Sequence, residues 1–332
     1  MKEVFPGIFL IEEKGRFRPS DNIYVLAGNN GIIFDAGYGY KRAVKFFLRE
    51  FNELESLYKS QKKDFNITKI IVSHGHSDHF SGLKSISEAL NLKIMLTANI
   101  SKTIKDKVSF ESNFRGDDYE DYLRIRNKFI QKIWNGFRHL GTILFFRSFH
   151  GLSFLESPDI ILNENSVISI NDEPWTIIPS PGHSPEHISL YNEEKGILLS
   201  GDNILKMRST WLGPPESNMG DYIETIKKLQ NLPKLKLILP AHDEIIDNPK
   251  KSFAAILERM HERENQVLNA IKDGSEKGIT PNEILKILYP KRRKKITRII
   301  GRDWVVLTLK FLEEKGIIKR KIVKKKILFS LA

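Results

Sequence analysis

The chain of 332 residues contains no cysteine, which excludes a disulfide framework, a thiol nucleophile and a thiolate metal site. Long apolar runs are also missing, because no stretch approaches the roughly 20 residues of a membrane span. The opening residues Met1–Pro6 lack the apolar core of a signal peptide. These absences predict a cytoplasmic protein with no membrane partner. Its length allows two domains, and 40% hydrophobic residues can supply a sizeable core.

The positive charge is confined to the end of the chain. Residues 265–332 contain 18 lysines and arginines against 6 acidic residues, and they therefore account for the whole net charge of +12. An acidic partner, such as nucleic acid or another anionic surface, explains this asymmetry. A lysine-rich solvated surface of the kind found in heat-adapted proteins explains it equally well.

One short stretch concentrates metal-ligating side chains. His74, His76, Asp78 and His79 fall within six residues, directly after the apolar run Ile70–Val72. A strand that ends in such a loop directs several ligands toward one point. Imidazole and carboxylate together suit zinc and its first-row neighbours. The alternative is a polar surface loop in which histidines cluster by chance.

Three further candidate ligands follow short hydrophobic runs. His183, Asp202 and His242 each lie beside glycine or proline, as expected for a loop at the end of a strand. Together with the first stretch they give five imidazoles and two carboxylates. One tetrahedral ion cannot use so many ligands, whereas two ions can share them and keep open positions.

The seven residues, in this order along the chain, resemble the two-metal site of the metallo-beta-lactamase superfamily. The resemblance extends over residues 1 to about 250. The resemblance implies an α/β fold, a four-layer αββα sandwich with the site at one edge. It also implies two positions: a first metal held by His74, His76 and His183, a second held by Asp78, His79 and His242, and Asp202 bridging the pair.

The chemistry that the resemblance implies is hydrolysis with two zinc ions, with iron or manganese as alternative metals. A hydroxide that bridges the ions would be the nucleophile, because metal binding lowers the pKa of water from about 15.7 to near 7. The metals would polarise a carbonyl or phosphoryl oxygen and stabilise the developing anion. Asp78 is predicted to be catalytic as well as a ligand, orienting the hydroxide as its family counterpart does.

Other residues near the ligands are expected to support them or to depart from the family pattern. Asp35 is expected either to brace a ligand loop or to have a purely structural role. His187 is expected either to contact a ligand from outside or to pack against its neighbours. Glu186 and Asp243 stand where relatives commonly have glycine. Because aspartate tolerates the left-handed conformation, His242 is still expected to reach the metal. Neither departure from the family pattern changes a ligand, so both concern the substrate pocket and not the metal site.

Residues 100–160 interrupt the alternation of strands and helices with a segment that contains eleven aromatic side chains. Its position between two ligand loops predicts a lid or a substrate wall over the metal site. A helical hairpin buried against the body or in a dimer contact is the alternative. His139 and His150 are predicted to be packing or surface residues.

Residues 251–332 are predicted to form a second domain, a long helix followed by a basic winged helix. A helix over 250–271 precedes Thr280, which has the features of a helix cap, with Pro281 next and Glu283 three residues on. A further helix near 303–315 and short strands at 317–321 and 326–331 complete the pattern. It is similar to the extension of the lactamase-like branch that includes endoribonucleases.

The sequence therefore favours a metal-dependent hydrolase of a small ester or thioester, and it leaves a homodimer open. A single-stranded RNA endonuclease is one alternative, with Lys291–Lys295 and Lys319–Lys326 contacting phosphates. A nucleic-acid-binding regulator whose lactamase-like domain is a sensor is another. The same ligands would also support a mononuclear iron enzyme that acts on thiol compounds.

Overall fold

The computed structural model describes residues 1–14, 20–113, 122, 150–206, 209–274, 278–290, 295–324 and 326–332. Most of the predicted insert, including His139, lies outside these residues. So does most of the basic run Lys291–Lys295. Among the helices of the described residues, none has the length and apolar character needed to span a membrane.

The first sheet brings the N-terminal hairpins and the first ligand loop together. Its seven strands lie in chain order: β1 (Lys2–Phe5), β2 (Ile8–Glu13), β3 (Asp21–Leu26), β4 (Gly31–Phe34), β5 (Ile67–Ile71), β6 (Lys93–Thr97) and β7 (Ile160–Leu162). Strands β1 to β4 are antiparallel, whereas β4 to β7 run parallel. The carboxyl ends of β4 and β5 therefore meet at one edge, where Asp35 and His74 follow them.

The second sheet supplies the remaining ligand loops. Its five strands, in spatial order, are β12 (Leu237–Pro240), β11 (Ile197–Gly201), β10 (Ile188–Asn192), β9 (Glu173–Pro179) and β8 (Val167–Ile170). Strands β11 and β12 are parallel, so Asp202 and His242 leave the sheet at the same edge. His183 follows β9, which lies two strands away from β11.

Nine helices in the described residues surround the sheets: α1 (Lys41–Ser60), α2 (Ser77–Phe80), α3 (Leu83–Leu90), α4 (Ala98–Ile104), α5 (Lys107–Asn113), α6 (Met219–Gln230), α7 (Pro249–Lys272), α8 (Pro281–Leu288) and α9 (Lys295–Glu314). Helix α1 shows why they form. It buries Phe47, Phe51 and Leu54, whose spacing of three and four residues places them on one face.

Alternate side chains of the second sheet enter two different hydrophobic cores. Ile177 and Leu199 join the core between the two sheets. Their neighbours Ile178 and Leu198 point the other way, into the core formed with α6, α7 and α9. The second sheet is thus buried on both faces, between the first sheet and helices, and the predicted α/β fold is confirmed.

The described part of the insert packs against the body of the protein. Phe110 belongs to the core between the sheets and Phe154 packs against it, with ring centroids 5.9 Å apart. Tyr122 stacks on Phe329 of residues 251–332 (the C-terminal unit) and donates a hydrogen bond to Glu313 in the same unit. These three aromatic residues therefore do not cover the metal site, and the predicted lid rests on residues outside those described.

The C-terminal unit shares helix α7 with the rest of the molecule. The first half of α7 buries Phe253 and Met260 in the core behind the second sheet. Its second half buries Val267 and Ile271 against α8, α9 and the hairpin of β13 (Ile318–Val323) and β14 (Lys326–Leu331). The division of the chain near residue 250 and the identification of a winged helix stay predictions.

Helix α9 begins earlier than the sequence predicts. It starts at Lys295, so the predicted start near 303 is wrong. The helix continues through Gly301, where an added Cβ would lie 2.6 Å from the ring of Tyr289. The missing side chain thus makes room for the ring of Tyr289 at a glycine within the helix.

Candidate metal centre

The first ligand loop is held in place by carboxylates from other parts of the chain. His74 and His76 lie in the turn between β5 and α2, and Asp78 and His79 lie in the first turn of α2. Asp35 accepts a hydrogen bond of 2.7 Å from the backbone N–H of Ser73, and Glu186 accepts one of 3.0 Å from that of Gly75. Buried carboxylates thus hold both arms of the turn through its backbone.

Four side chains converge at the first position. The Nε2 atom of His183 lies 3.2 Å from His74 Nε2, 2.9 Å from His76 Nδ1 and 3.4 Å from Asp202 Oδ2. Atoms bound to one tetrahedral zinc at about 2.0–2.1 Å would be separated by about 3.4 Å. The donor types and the spacing of this group therefore fit a zinc-sized ion.

The second group meets the first at Asp202. The Oδ1 atom of Asp202 lies 3.5 Å from His79 Nε2 and 3.3 Å from His242 Nε2. Asp78 places one oxygen 3.9 Å from His79 Nε2 and the other 3.8 Å from His242 Nε2. His79 Nε2 and Asp202 Oδ1 are buried without a hydrogen-bond partner. An imidazole nitrogen and a carboxylate oxygen that can both offer lone pairs, and that have no other partner, fit a position for a second cation.

All seven residues predicted from the sequence therefore lie at one place, divided between two groups as the resemblance implies. That they bind metal stays a prediction. The arrangement does show that loops from both sheets, which are separated widely along the chain, bring their polar side chains to one edge of the sandwich.

Contacts on the far side of each ring decide which nitrogen faces the site. His79 Nδ1 lies 3.2 Å from Asp35 Oδ2. His242 Nδ1 donates a hydrogen bond of 2.6 Å to the carbonyl oxygen of Ser20. In both residues the outward Nδ1 has a partner, so Nε2 is left as the nitrogen that faces the other ligands.

The imidazoles of the first group are held in the same way. His183 Nδ1 donates to the carbonyl oxygen of Trp211 at 2.7 Å. His76 is reversed, because its Nε2 lies 3.0 Å from Glu216 Oε2 and its Nδ1 faces the site. Burial would lower the pKa of His76, but the adjacent Glu216 carboxylate raises it to about 9. Carboxylates around the imidazoles thus stabilise positive charge at the centre.

Asp21 is a component that the sequence analysis missed. Its Oδ1 lies 3.2 Å from His242 Nδ1, and both carboxylate oxygens are buried without a hydrogen-bond partner. Asp21, Asp78, His79 and His242 can all place a ligand atom within 4.8 Å of one another. Because Asp21 contacts the nitrogen of His242 that faces away from Asp202, it lies behind this imidazole.

The beginning of β3 also clamps the loop that carries His242. The side-chain amide of Asn22 donates to the carbonyl oxygens of Pro240 and Asp243, at 2.9 and 2.8 Å. Tyr24 donates its hydroxyl to the same Pro240 carbonyl at 2.8 Å. Asp243 has a positive φ of 66°, the left-handed conformation that the sequence analysis allowed for it.

His187 contacts a ligand residue from outside, and His150 packs against the loop that carries the first ligands. His187 Nε2 accepts a hydrogen bond of 3.1 Å from the backbone N–H of Asp202. His150 Nδ1 lies 2.8 Å from the hydroxyl of Ser77, between His76 and Asp78 in the chain. Burial lowers the pKa of His187 well below its usual value, so its ring is neutral and can accept that hydrogen bond.

Among the described residues, the accessible ligands of the centre are Asp78 and His76. The Asp78 side chain is 20% exposed and that of His76 is 12% exposed, against 1% for His79. Trp211 lies beside these ligands with 41% of its surface exposed. Its ring centroid is 6.0 Å from that of His76 and 6.3 Å from that of His183. The sequence analysis also missed this indole, which lies beside the accessible ligands.

Comparison with known proteins agrees with this geometry. The family model described as the metallo-beta-lactamase superfamily matches residues 16–242. The chain is 27% identical to "Acyl-coenzyme A thioesterase MBLAC2" from Gallus gallus over 253 residues, 73% of this chain and 79% of that protein. It is 22% identical to "Probable metallo-hydrolase YqjP" from Bacillus subtilis over 284 residues, 81% of this chain and 80% of that protein.

A solved structure matches the whole chain. The metallo-beta-lactamase family protein from Thermus thermophilus covers 99% of this chain and 100% of its own, with a TM-score of 0.72 and 18% sequence identity. The C-terminal unit is therefore included in the shared fold. At this identity the likeness concerns the fold alone.

Proposed function

The chain belongs to the metallo-beta-lactamase superfamily and is a metal-dependent hydrolase of that superfamily; from this premise we propose that it hydrolyses an ester- or thioester-type small molecule at a centre of two metal ions. The observation that carries the proposal is the convergence of seven side chains into two groups that share Asp202. Two groups of mixed nitrogen and oxygen donors are what a pair of zinc, iron or manganese ions requires.

The proposed ligands divide between the two positions: His74, His76 and His183 at the first, Asp78, His79 and His242 at the second, and Asp202 between them. When bound, the ions lower the pKa of water to near 7 and polarise the substrate carbonyl. The protein supplies the fixed geometry, since the rings of His76, His79, His183 and His242 each have a partner on the outward nitrogen.

Asp78 is the residue that we propose for catalysis as well as for metal binding. It is the more exposed of the two ligand carboxylates, at 20%, and it lies at the end of the site that a substrate can reach. In this role its oxygens would accept a hydrogen bond from the attacking water and orient it toward the carbonyl carbon. Asp202, with only 11% of its side chain exposed, is less accessible for that role.

The thioester part of the proposal is supported by a relative. The protein from Gallus gallus that matches 73% of this chain bears the name of an acyl-coenzyme A thioesterase. An acyl thioester combines a polarisable carbonyl with an apolar acyl group, and the accessible part of this centre combines ligand residues with an exposed indole. Both parts of such a substrate would therefore find a suitable surface.

Hydrolysis of single-stranded RNA is the second candidate. The observation that favours it is the hairpin of β13 and β14, on which Lys319, Lys321 and Lys324 are exposed. Lysines on such a surface would contact phosphates and make binding depend on salt. The regulator with a sensor domain shares this surface but would bind nucleic acid without turnover.

The decisive experiment combines metal quantification with a substrate panel. We expect about two metal ions per purified chain and turnover of acyl-coenzyme A thioesters or simple esters. His76→Ala and Asp78→Ala should each lower turnover by at least about 100-fold. His261→Ala is the matched control, because His261 is an exposed histidine on α7, and it should retain full activity.

Other results would favour the other candidates. One iron per chain would contradict the two-metal hydrolase. Turnover confined to labelled single-stranded RNA would favour the endonuclease, and salt-dependent RNA binding without any turnover would favour the regulator. Full activity of both the His76 and the Asp78 variant would reject the proposed centre itself.

A further inference from the structure

Trp211 is an exposed aromatic side chain beside the face of the centre where the ligand residues are accessible. A single exposed apolar side chain is ordinary on a protein surface, so the place of Trp211 beside the ligands, and not its exposure alone, is the informative feature. Trp211 exposes 41%, and its ring lies about as close to His76 as to His183, at 6.0 and 6.3 Å between centroids. Neither metal binding nor the activation of water requires this indole.

The position of the indole is fixed by its surroundings. The carbonyl oxygen of Trp211 accepts the hydrogen bond from His183 Nδ1, which ties its backbone to a ligand. The hydroxyl of Thr210 donates to the carbonyl oxygens of Asp202 and Asn203, at 2.9 and 3.1 Å. Backbone contacts thus attach this loop to the centre immediately before the tryptophan.

Gly213 lets the ring fold back over its own loop. A Cβ added at Gly213 would lie 1.9 Å from Cζ2 of Trp211 and 2.5 Å from two further ring atoms. Any larger residue at 213 would push the indole out of this place. The absence of a side chain at one position therefore determines where the ring stands at the other.

We propose that Trp211 is the specificity-determining residue of this hydrolase, and that its indole packs against the acyl chain of an acyl thioester substrate. The proposal rests on the proposed function and names the part of the substrate that this side chain recognises. It makes the chain selective for medium or long acyl groups over acetyl.

The assignment to the acyl side follows from the chemistry of the substrate. The scissile carbonyl must come close to His76 and His183 for an ion held there to polarise it, and the indole lies about 6 Å from both rings. In an acyl thioester of coenzyme A or a carrier protein, the thiol side is a polar arm with amide groups, whereas the acyl side is apolar. An indole face gains most from contact with the apolar side.

Acyl-coenzyme A substrates from acetyl to dodecanoyl test the proposal with the thiol side held constant. For Trp211→Ala, we expect kcat/KM to fall about 10-fold for the longest chains, mainly through KM, and less than about 3-fold for acetyl. Trp211→Phe should recover most of the preference. Metal content should equal that of the wild type in both variants, because the hydrogen bond from His183 goes to the backbone of residue 211.

Gly213→Ala provides a second test in which the indole is kept but displaced. It should weaken the chain-length preference as Trp211→Ala does. Ile322→Ala is the matched control, since Ile322 is 66% exposed on the C-terminal hairpin, and it should leave the preference unchanged.

An unchanged chain-length preference in Trp211→Ala would overturn the assignment, as would an equal loss for acetyl and dodecanoyl substrates. Either result would leave the proposed hydrolase intact, because the wild type would still turn over thioesters. A wild type that hydrolyses no thioester or ester at all would instead reject the proposed function.

Discussion

His242 is held between two carboxylates, and only one of them belongs to the ligand set predicted from the sequence. Asp202 Oδ1 lies 3.3 Å from its Nε2, and Asp21 Oδ1 lies 3.2 Å from its Nδ1. A carboxylate behind a metal-binding imidazole fixes the ring and makes it a better donor. Asp35 has the same relation to His79. Both imidazoles of the second position therefore have a carboxyl group on their outward side, and burial raises the pKa of Asp21 well above its usual value.

Replacing Asp21 with asparagine should weaken metal binding at the second position. The change keeps the size of the side chain but replaces the carboxyl group that contacts His242 Nδ1 with an amide, so we expect the affinity for the second ion to fall by about 10- to 100-fold. Competition with a chelator, followed by metal quantification, measures this affinity without an activity assay.

A control separates the effect of the Asp21 carboxyl group from that of the neighbouring hydrogen bonds between β3 and the loop that carries His242. Tyr24→Phe removes the hydrogen bond to Pro240 from the same strand and leaves Asp21 in place, so it should keep both ions. Equal metal retention by Asp21→Asn and the wild type would show that His242 does not depend on this carboxylate.

The residues that the sequence analysis missed have partners far away in the chain. His74, His76, Asp78 and His79 could be recognised together because they occupy one loop. Asp21 is the first residue of a buried strand, and its neighbour Ser20 contacts His242 across 222 positions. Only tertiary packing creates such a contact, and no local pattern indicates it. An acidic residue at the start of an apolar strand was the one available signal.

At the scale of the element, local sequence determines helix α8 more fully than any other feature of the C-terminal unit. The Thr280 hydroxyl accepts a hydrogen bond from the backbone N–H of Glu283, while the Glu283 carboxylate accepts one of 2.8 Å from the backbone N–H of Thr280. This reciprocal pair satisfies two N–H groups that a helix start otherwise leaves free. Pro281 fits the first turn because the helix needs no N–H there.

Thr280→Ala should lower the free energy of unfolding by about 1 kcal/mol, measured by chemical denaturation. The hydrogen bonds from Thr280 hold the pKa of Glu283 below its usual value. A carboxyl whose pKa is lower in the folded state stabilises the fold above its unfolded pKa, near 4.3, and this contribution disappears as the pH falls through the lower, folded value.

The difference in stability between the wild type and Thr280→Ala should therefore shrink in acid. In an NMR titration of the variant, the pKa of Glu283 should move back toward its ordinary value. Glu283 is mostly exposed, and solvent screening keeps the effect of its charge small. A pKa of Glu283 that is the same in both proteins would contradict this account of the cap.

Other elements show where prediction from sequence ends. The strands that carry ligands were found because each is a short apolar run before a loop, and their partners follow from the sandwich. The start of α9 was not found, although Ile296, Ile299 and Ile300 have helical spacing, because Gly301 follows them and glycine is a poor helix former. Phe110, predicted within a lid, is instead 1% exposed in the core, because composition alone does not indicate which side an aromatic residue faces.

At the scale of the whole molecule, the C-terminal unit is part of the layer that covers the second sheet. Trp304, Leu307 and Phe311 of α9 belong to the same core as Tyr222 of α6 and Phe253 of α7. Residues after 265 therefore complete a core that begins in the ligand-bearing sheet. A basic tail added only to bind an acidic partner would not need these contacts, so the unit has a structural role whatever its lysines bind.

This shared core predicts that the two parts of the chain unfold together. Trp304 is 4% exposed, and the guanidinium carbon of Arg263 lies 3.4 Å from the centroid of its ring. Trp304→Ala should lower the free energy of unfolding by about 3–5 kcal/mol. Circular dichroism, which reports on the whole chain, and metal release, which reports on the centre, should show one transition that shifts to a lower temperature with both probes.

Ile322→Ala is the control for this prediction, because it removes an exposed side chain from the same unit and should change stability by less than about 0.5 kcal/mol. If Trp304→Ala lowered the transition seen by circular dichroism but left metal release at the wild-type temperature, the ligand-bearing sheets would be stable without the C-terminal unit. Helices α7 and α9 cover the face of the second sheet that lies opposite the first sheet. The metal ligands of the second sheet leave it at its edge. A change that weakens the packing of these helices on the sheet should therefore also destabilise the loops that hold the ions.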